Sequence, residues 1–215
     1  MNTKLCIFDL DGTLINSLYD LADAMNYALQ KYGFPVHDRE KYRFMVGSGI
    51  SVLADRAMAV PAEIEKKEAV LANFNDYYQV HNTDNTVPYE GITELLDNLD
   101  NKGVLYSVLS NKPDKFTKQI INKLFPDRKF AAVIGKRDEF PRKPDPASVN
   151  NLISDLGFNS RDCLYIGDSN IDMQTAKNAS LRSVGVSWGF RPISELLESG
   201  AQHIAEKPAD ILNYL

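Results

Sequence analysis

The chain has 215 residues, 44% of them apolar, and a formal net charge of −5. Such a length fits one large domain, or a core carrying a smaller insertion, and the apolar fraction suffices to bury a core. The negative balance excludes a broad nucleic-acid face, which needs a basic surface, although a local site can oppose the global field and still take a small anion. No apolar stretch approaches the ~20 residues that span a bilayer, and the start of the chain lacks a signal-peptide pattern. A cytoplasmic protein with no nucleic-acid or membrane partner, monomeric or homodimeric, is therefore expected. Cys6 and Cys163 each sit inside an apolar run and are expected as buried free thiols. His37, His81 and His203 are too scattered for a zinc site.

The first apolar run, Leu5–Phe8, reads as a buried strand and ends in Asp9-Leu10-Asp11-Gly12-Thr13. Leu18, Leu21, Ala22, Met25, Leu29 and Tyr32 then follow helical spacing, and Gly33 and Pro35 end that helix. Ile50, Leu53, Ala54 and Ala57 mark a second helix, and Ile64, Leu71, Phe74 and Tyr78 a third. The polar stretch 81–86 reads as a return linker. Further strands are expected at 104–109, 131–134, 163–166 and 183–187, with an edge strand near His203–Ala205. Helices are expected around Phe116, Ile120, Ile121 and Leu124, and over 147–156 and 171–179. Alternating strands and helices imply an α/β fold, a Rossmann-like parallel sheet with helices on both faces. About ninety residues separate the first two strands, far more than a crossover needs. The economical division is a core of residues 1–16 and 83–215 with an inserted α-helical cap at 17–82.

Chemistry-bearing residues cluster at the strand ends, where ligands bind in open α/β sheets. Asp9 and Asp11 are close enough to repel, a conflict that a cation or a raised pKa relieves; the bland alternative is an Asp-Gly turn. Ser110-Asn111-Lys112 ends the second core strand, where a hydroxyl and helix-start amides make an anion site, or simply an N-cap. Lys143 stands in Arg142-Lys143-Pro144-Asp145-Pro146, as a phosphate-neutralising ammonium or an exposed loop lysine. After the fourth strand, Gly167-Asp168-Ser169-Asn170-Ile171-Asp172 brings two acids four apart. That pair suits a hard cation with oxygen ligands, or an Asp N-cap.

Taken together, acid pair, hydroxyl, lysine and acid pair after successive strands resemble the haloacid dehalogenase superfamily of phosphohydrolases. The likeness is nearest to its phosphoglycolate phosphatase-like members. Asp9 to Thr13 resembles the first family motif, Ser110 the second, Lys143 the third and Gly167 to Asp172 the fourth. Val46-Gly47-Ser48-Gly49, Lys143-Pro144-Asp145-Pro146 and Trp188-Gly189 are similar to the phosphoglycolate group. Asn16-Ser17 stands where Asp-Ser is usual, and Ala179-Ser180 where Ala-Gly is common.

The resemblance implies a phosphomonoester hydrolase. Asp9 would attack phosphorus, forming an aspartyl-phosphate, and Asp11 would act as general acid, then base. Mg²⁺ would be held by the Asp9 carboxylate, the Asp11 carbonyl and Asp168, with Asp172 and Ser169 in support. Thr13, Ser110, Asn111 and Lys143 would hold the phosphoryl group. Gly47, Ser48 and Gly49, at the start of a cap helix, offer free amides to a carboxylate, or form an ordinary helix start. A small phosphorylated metabolite is the implied substrate, with 2-phosphoglycolate first. Another small phosphate (nucleotide, sugar phosphate or pyrophosphate) and a phosphomutase on the same scaffold are the nearest alternatives. A receiver-like phosphoacceptor domain is the non-enzymatic one.

Overall fold

The computed structural model describes residues 3–59 and 64–215. Its six-stranded sheet is wholly parallel, built from β1 (Leu5–Phe8), β4 (Leu105–Pro113), β5 (Ala132–Lys136), β6 (Cys163–Gly167), β7 (Arg182–Val186) and β8 (His203–Ala205) in the order β5-β4-β1-β6-β7-β8. All of β1 and β6 is buried, as expected of strands covered by helices on both faces. The register pairs Phe8 with Val108 on one side and Ile166 on the other. Strand order reverses at β1, so the crevice beyond Phe8 is the topological switch point where such sheets bind ligands.

Every strand expected from the apolar runs is present, with ends shifted by one or two residues except that β4 runs on through Ser110-Asn111-Lys112 to Pro113. The helix start expected at Ser110 is thus extended backbone, with a register shift against β5 between Leu109 and Pro113. The helices α5 (Asp114–Leu124), α6 (Ala147–Asp155) and α7 (Asn170–Asn178) fall where the periodicity puts them. Two others, α4 (Ile92–Asn101) and α8 (Ile193–Glu198), were not foreseen. Leu95, Leu96 and Leu99 give α4 its buried stripe.

Between β1 and α4 the described residues form the helices α1 (Leu18–Lys31), α2 (Ile50–Met58) and α3 (Ile64–His81). The apolar stripe of α1 packs with Tyr42, Leu53, Ala57, Val70, Phe74 and Tyr78 in a core continuous with one face of the sheet. Strands β2 (Ile15–Asn16) and β3 (Val87–Pro88) pair antiparallel across the base of this insert, another unforeseen element. The stretch expected as a plain linker is pinned. Buried Asp20 accepts the amides of Asn85 and Thr86 at 2.8–3.1 Å and the Thr86 hydroxyl at 2.6 Å. A carboxylate that collects backbone donors in this way fixes where the helices leave and rejoin the sheet. Cys6 and Cys163 are buried free thiols, and burial pushes the Cys6 thiol up to about 12. Among the described residues no helix is long and apolar enough to cross a membrane.

Candidate active site

The switch-point crevice gathers the strand-end residues. Asp9 follows β1 directly and is 6% exposed. Its Oδ1 forms an ion pair with Lys143 Nζ at 3.0 Å. Lys143 also donates to Asp172 Oδ1 at 2.7 Å and to the Leu109 carbonyl at 3.1 Å. Asp172 Oδ2 caps its own helix, accepting the Ser169 hydroxyl at 2.6 Å and the Ser169 amide at 3.1 Å. The N-cap of α7 is thus Ser169 rather than an aspartate; Asp172, at the third helical position, completes the capping box and is also the counter-ion of Lys143. Asn111 sets the lysine from the backbone side, its Oδ1 accepting the Lys143 amide at 2.9 Å and its Nδ2 donating to the Lys143 carbonyl at 3.1 Å.

Asp168 is 2% exposed. Its Oδ2 accepts the Phe190 amide at 2.7 Å, and Thr13 Oγ1 reaches Oδ1 at 3.4 Å. The Trp188 indole donates to the Thr13 carbonyl at 3.0 Å, tying the turn after β7 to the turn after β1. Gly12 (φ +87°) is required here: a Cβ would stand 2.2 Å from Asp168 Oδ2. Gly189 packs as tightly on the other side, with a Cβ position 2.2 Å from Asp168 Cβ.

Asp11 faces the same crevice with different partners. Ser17 donates to its Oδ1 at 2.5 Å, and Lys112 Nζ donates to Oδ1 at 2.9 Å and Oδ2 at 2.8 Å. Lys112 was not foreseen as a site residue. The signal was present: on an extended strand Ser110 and Lys112 share a face, but a helix start at Ser110 would hide that period.

Burial and the acidic neighbours Asp172 and Asp11 push the Asp9 carboxyl up to about 7, against the pull of Lys143. Burial, then Asp172 and Asp9, raise Asp168 well above the usual carboxylate range. Burial alone would lower Lys143; Asp172 and Asp9 outweigh it and hold the ammonium well above its ordinary value. When ionised, Asp9, Asp11, Asp168 and Asp172 oppose two ammonium groups, Lys112 and Lys143, leaving a formal excess of two negative charges. Ligand oxygens of Asp9, Asp168 and Asp172 lie within 4.8 Å of one another. Three buried carboxylates this close, with one lysine ammonium between two of them, fit a hard divalent cation with oxygen ligands.

A small pocket opens from Asp9 and Asp11 toward the insert. Ser110, Asn111 and Lys112 line its sheet side; Leu21, Val46, Gly47, Gly49, Ile50 and Leu53 line the insert side. Gly47 and Gly49 thus face the crevice through backbone. Ser48 turns away, its hydroxyl accepting from Arg56 at 3.2 Å and its carbonyl from Arg142 at 2.9 Å. Asn111 also donates to the Gly47 carbonyl at 3.1 Å. The enclosed space is about 30 Å³, the scale of water rather than of a ligand site of roughly 300–1,000 Å³.

Comparison with known proteins agrees with this geometry. The sequence profile of the haloacid dehalogenase-like hydrolases matches residues 6–186. The chain belongs to that family, and it is a phosphatase acting on small phosphorylated substrates. It is 35% identical over 201 residues to a phosphoglycolate phosphatase of Pseudomonas savastanoi pv. phaseolicola, covering 89% of this chain and 73% of that one. A phosphoglycolate phosphatase of Haemophilus influenzae (strain 86-028NP) is 33% identical over 225 residues, with both chains covered in full. A crystal structure from Lactobacillus delbrueckii subsp. bulgaricus, provisionally described as a phosphoglycolate phosphatase, superposes with a TM-score of 0.93 at 32% identity, covering 100% of this chain and 98% of that one.

Proposed function

We propose that the protein is a Mg²⁺-dependent phosphatase that hydrolyses 2-phosphoglycolate to glycolate and phosphate through an aspartyl-phosphate. The observation that carries the mechanism is that two carboxylates, Asp9 and Asp11, open on one pocket beside the buried Lys143–Asp172 pair.

Asp9 attacks phosphorus, forming an O–P bond as the bond to the leaving oxygen breaks, and Asp11 gives that oxygen its proton. Asp11 then takes a proton from water as the water oxygen attacks phosphorus, releasing phosphate and restoring Asp9. Mg²⁺ held by the Asp9 carboxylate, the Asp11 backbone carbonyl and Asp168 would neutralise phosphoryl charge. Lys143, anchored by Asp172, and the Ser110 hydroxyl stabilise the transferring oxygens. Phosphoryl transfer needs mainly such positioning and charge neutralisation. Ser169 and Asn111 keep Asp172 and Lys143 in register, while Thr13 steadies Asp168.

Residues 17–82 act as a cap in this reading. The closed pocket has no room for a substrate, so the cap must shift to admit one, and its apolar wall excludes water while Asp9 reacts. The relatives' activity supports a short leaving group. Arg43 and Arg56, the cations flanking the Gly47 loop, donate to the carbonyls of Gly189 and Met45. Neither lines the pocket, which favours a hydrolase over a mutase that must grip a second phosphate.

The test compares kcat/KM for 2-phosphoglycolate with those for nucleoside monophosphates, hexose phosphates, pyrophosphate and neutral alkyl phosphates, with and without Mg²⁺. Phosphoglycolate should lead and chelator should abolish turnover. A different leading ester would replace the substrate, and turnover resistant to chelator would remove the metal.

A further inference from the structure

Lys112 is fully enclosed at the boundary between sheet and insert. It extends from β4, its Nζ lies 4.9 Å from the centre of the Tyr78 ring on α3, and it pairs with both oxygens of Asp11. Of the side chains lining the pocket, it is the one cation. Lys143 lies behind Asp9 and is tied to Asp172 and the Leu109 carbonyl. An ammonium has three donors: Lys112 Nζ gives to both oxygens of Asp11 and faces the Tyr78 hydroxyl. That hydroxyl is fully buried, and among the described residues its own proton finds no acceptor. A buried hydroxyl proton without an acceptor is costly unless something completes it. An ammonium that lines the space the leaving group must occupy and a hydroxyl with an unplaced proton therefore stand side by side.

The insert wall supplies no alternative. Leu21, Val46, Ile50 and Leu53 are apolar, and the flanking arginines are committed to carbonyls elsewhere. Lys143 and the proposed Mg²⁺ both serve the phosphoryl group, so a charged tail needs a cation of its own.

Resting on the phosphatase reading above and deepening it, we propose that Lys112, with the Tyr78 hydroxyl beside it, binds a carboxylate on the substrate's leaving group. Lys112 keeps its contact with Asp11 and bridges the general acid–base to the tail. The selected class is then phosphomonoesters bearing a carboxylate within about two bonds of the ester oxygen. Tyr78 comes from the insert and Lys112 from the sheet, so the carboxylate is fully bound only when the two close on it.

The experiment measures kcat/KM for the matched pair 2-phosphoglycolate and ethyl phosphate in wild type, Lys112→Gln, Lys112→Arg and Tyr78→Phe. Loss of the Asp11 contact should slow Lys112→Gln on both esters, so the quantity read is the ratio between them. That ratio should fall ~10–100-fold in Lys112→Gln, the weight of a charge-assisted hydrogen bond. It should return within a few-fold of wild type in Lys112→Arg and fall by a smaller factor in Tyr78→Phe. Equal losses on both esters would overturn the proposal and leave the phosphatase and its substrate standing. A wild-type ratio near one would overturn both the Lys112 assignment and phosphoglycolate, leaving the phosphatase alone. A crystal structure of the wild-type protein with 3-phosphonopropionate, in which CH₂ replaces the ester oxygen, gives a reading independent of variant folding. The carboxylate should lie within hydrogen-bond distance of Lys112 Nζ and Tyr78 Oη; a carboxylate seated only on the amides at Gly47–Gly49 would overturn the proposal.

Discussion

The two walls of the pocket are built on opposite principles. On the sheet side nearly every polar atom is held from at least two directions: Asp168 by Phe190 and Thr13, Lys143 by Asp172, Leu109 and Asn111, Asp11 by Ser17 and Lys112. On the insert side the surface is apolar side chains and glycine backbone, tied across by a few contacts to carbonyls: Asn111 to Gly47, Arg142 to Ser48, Arg191 to Phe44 and Val46. The first wall is preorganised for charge and cannot move without leaving buried ions unpaired. The second can separate at the cost of a few partly exposed hydrogen bonds. In the proposed function, chemistry belongs to the wall that is over-determined, and admission of substrate to the one that is not.

This contrast predicts a gradient of effects. Asp9→Asn should lower phosphate release by at least ~10³-fold while circular dichroism stays native, because an amide is a poor nucleophile of nearly the same shape. Turnover above a few per cent would remove Asp9 as nucleophile and dissolve the distinction between the walls. Lys143→Met comes next. It strands Asp9 and Asp172, so it should cost ~3–5 kcal/mol of stability by denaturant titration as well as most of the activity. A loss under ~1 kcal/mol would mean that the buried acids are not held by this lysine.

Asp9 also gives the sheet wall a pH signature in chelator-treated protein. Its folded pKa, about 7, lies above the ~3.9 of an unfolded aspartate, so between those values the folded chain holds a proton that the unfolded chain has released. Stability from this group is complete below the unfolded value and is lost as pH rises through the folded one. The gain in Tm of Asp9→Asn over wild type should therefore be larger at pH 8 than at pH 5; a flat difference would deny the raised pKa. Mg²⁺ should reduce the gain at pH 8 by favouring the ionised carboxylate.

Smaller effects belong to the insert wall. Gly49 (φ +88°) has a Cβ position 3.3 Å from the Asn111 carbonyl, so Gly49→Ala should cost ~1–2 kcal/mol through strain and lower kcat/KM by ~10-fold with the fold intact. Arg142→Ala removes one exposed tie to Ser48 and should change KM by no more than a few-fold, with kcat held or slightly raised by easier opening. If Arg142→Ala instead matched Lys143→Met, the insert would be as rigid as the sheet wall and the contrast would fail.

Much of this was legible in the chain itself. Fully apolar runs such as Leu5–Phe8 and 163–166 can only be covered strands, and the acids, hydroxyl and lysine that follow them had to meet wherever parallel strands end. Helical periodicity in Leu18, Leu21, Met25 and Leu29 likewise declared the insert, because local spacing and burial obey the same period. Partnership was not legible. That Asp20 would pin Asn85 and Thr86, that Ser48 would turn from the pocket, and that Lys112 would lie between Asp11 and Tyr78 all depend on where separate elements dock. Spacing along the chain fixes which face a residue shares with its neighbours in sequence. Contacts between residues a hundred positions apart are fixed by sheet order and by how the insert closes, and these decided which lysine serves which carboxylate.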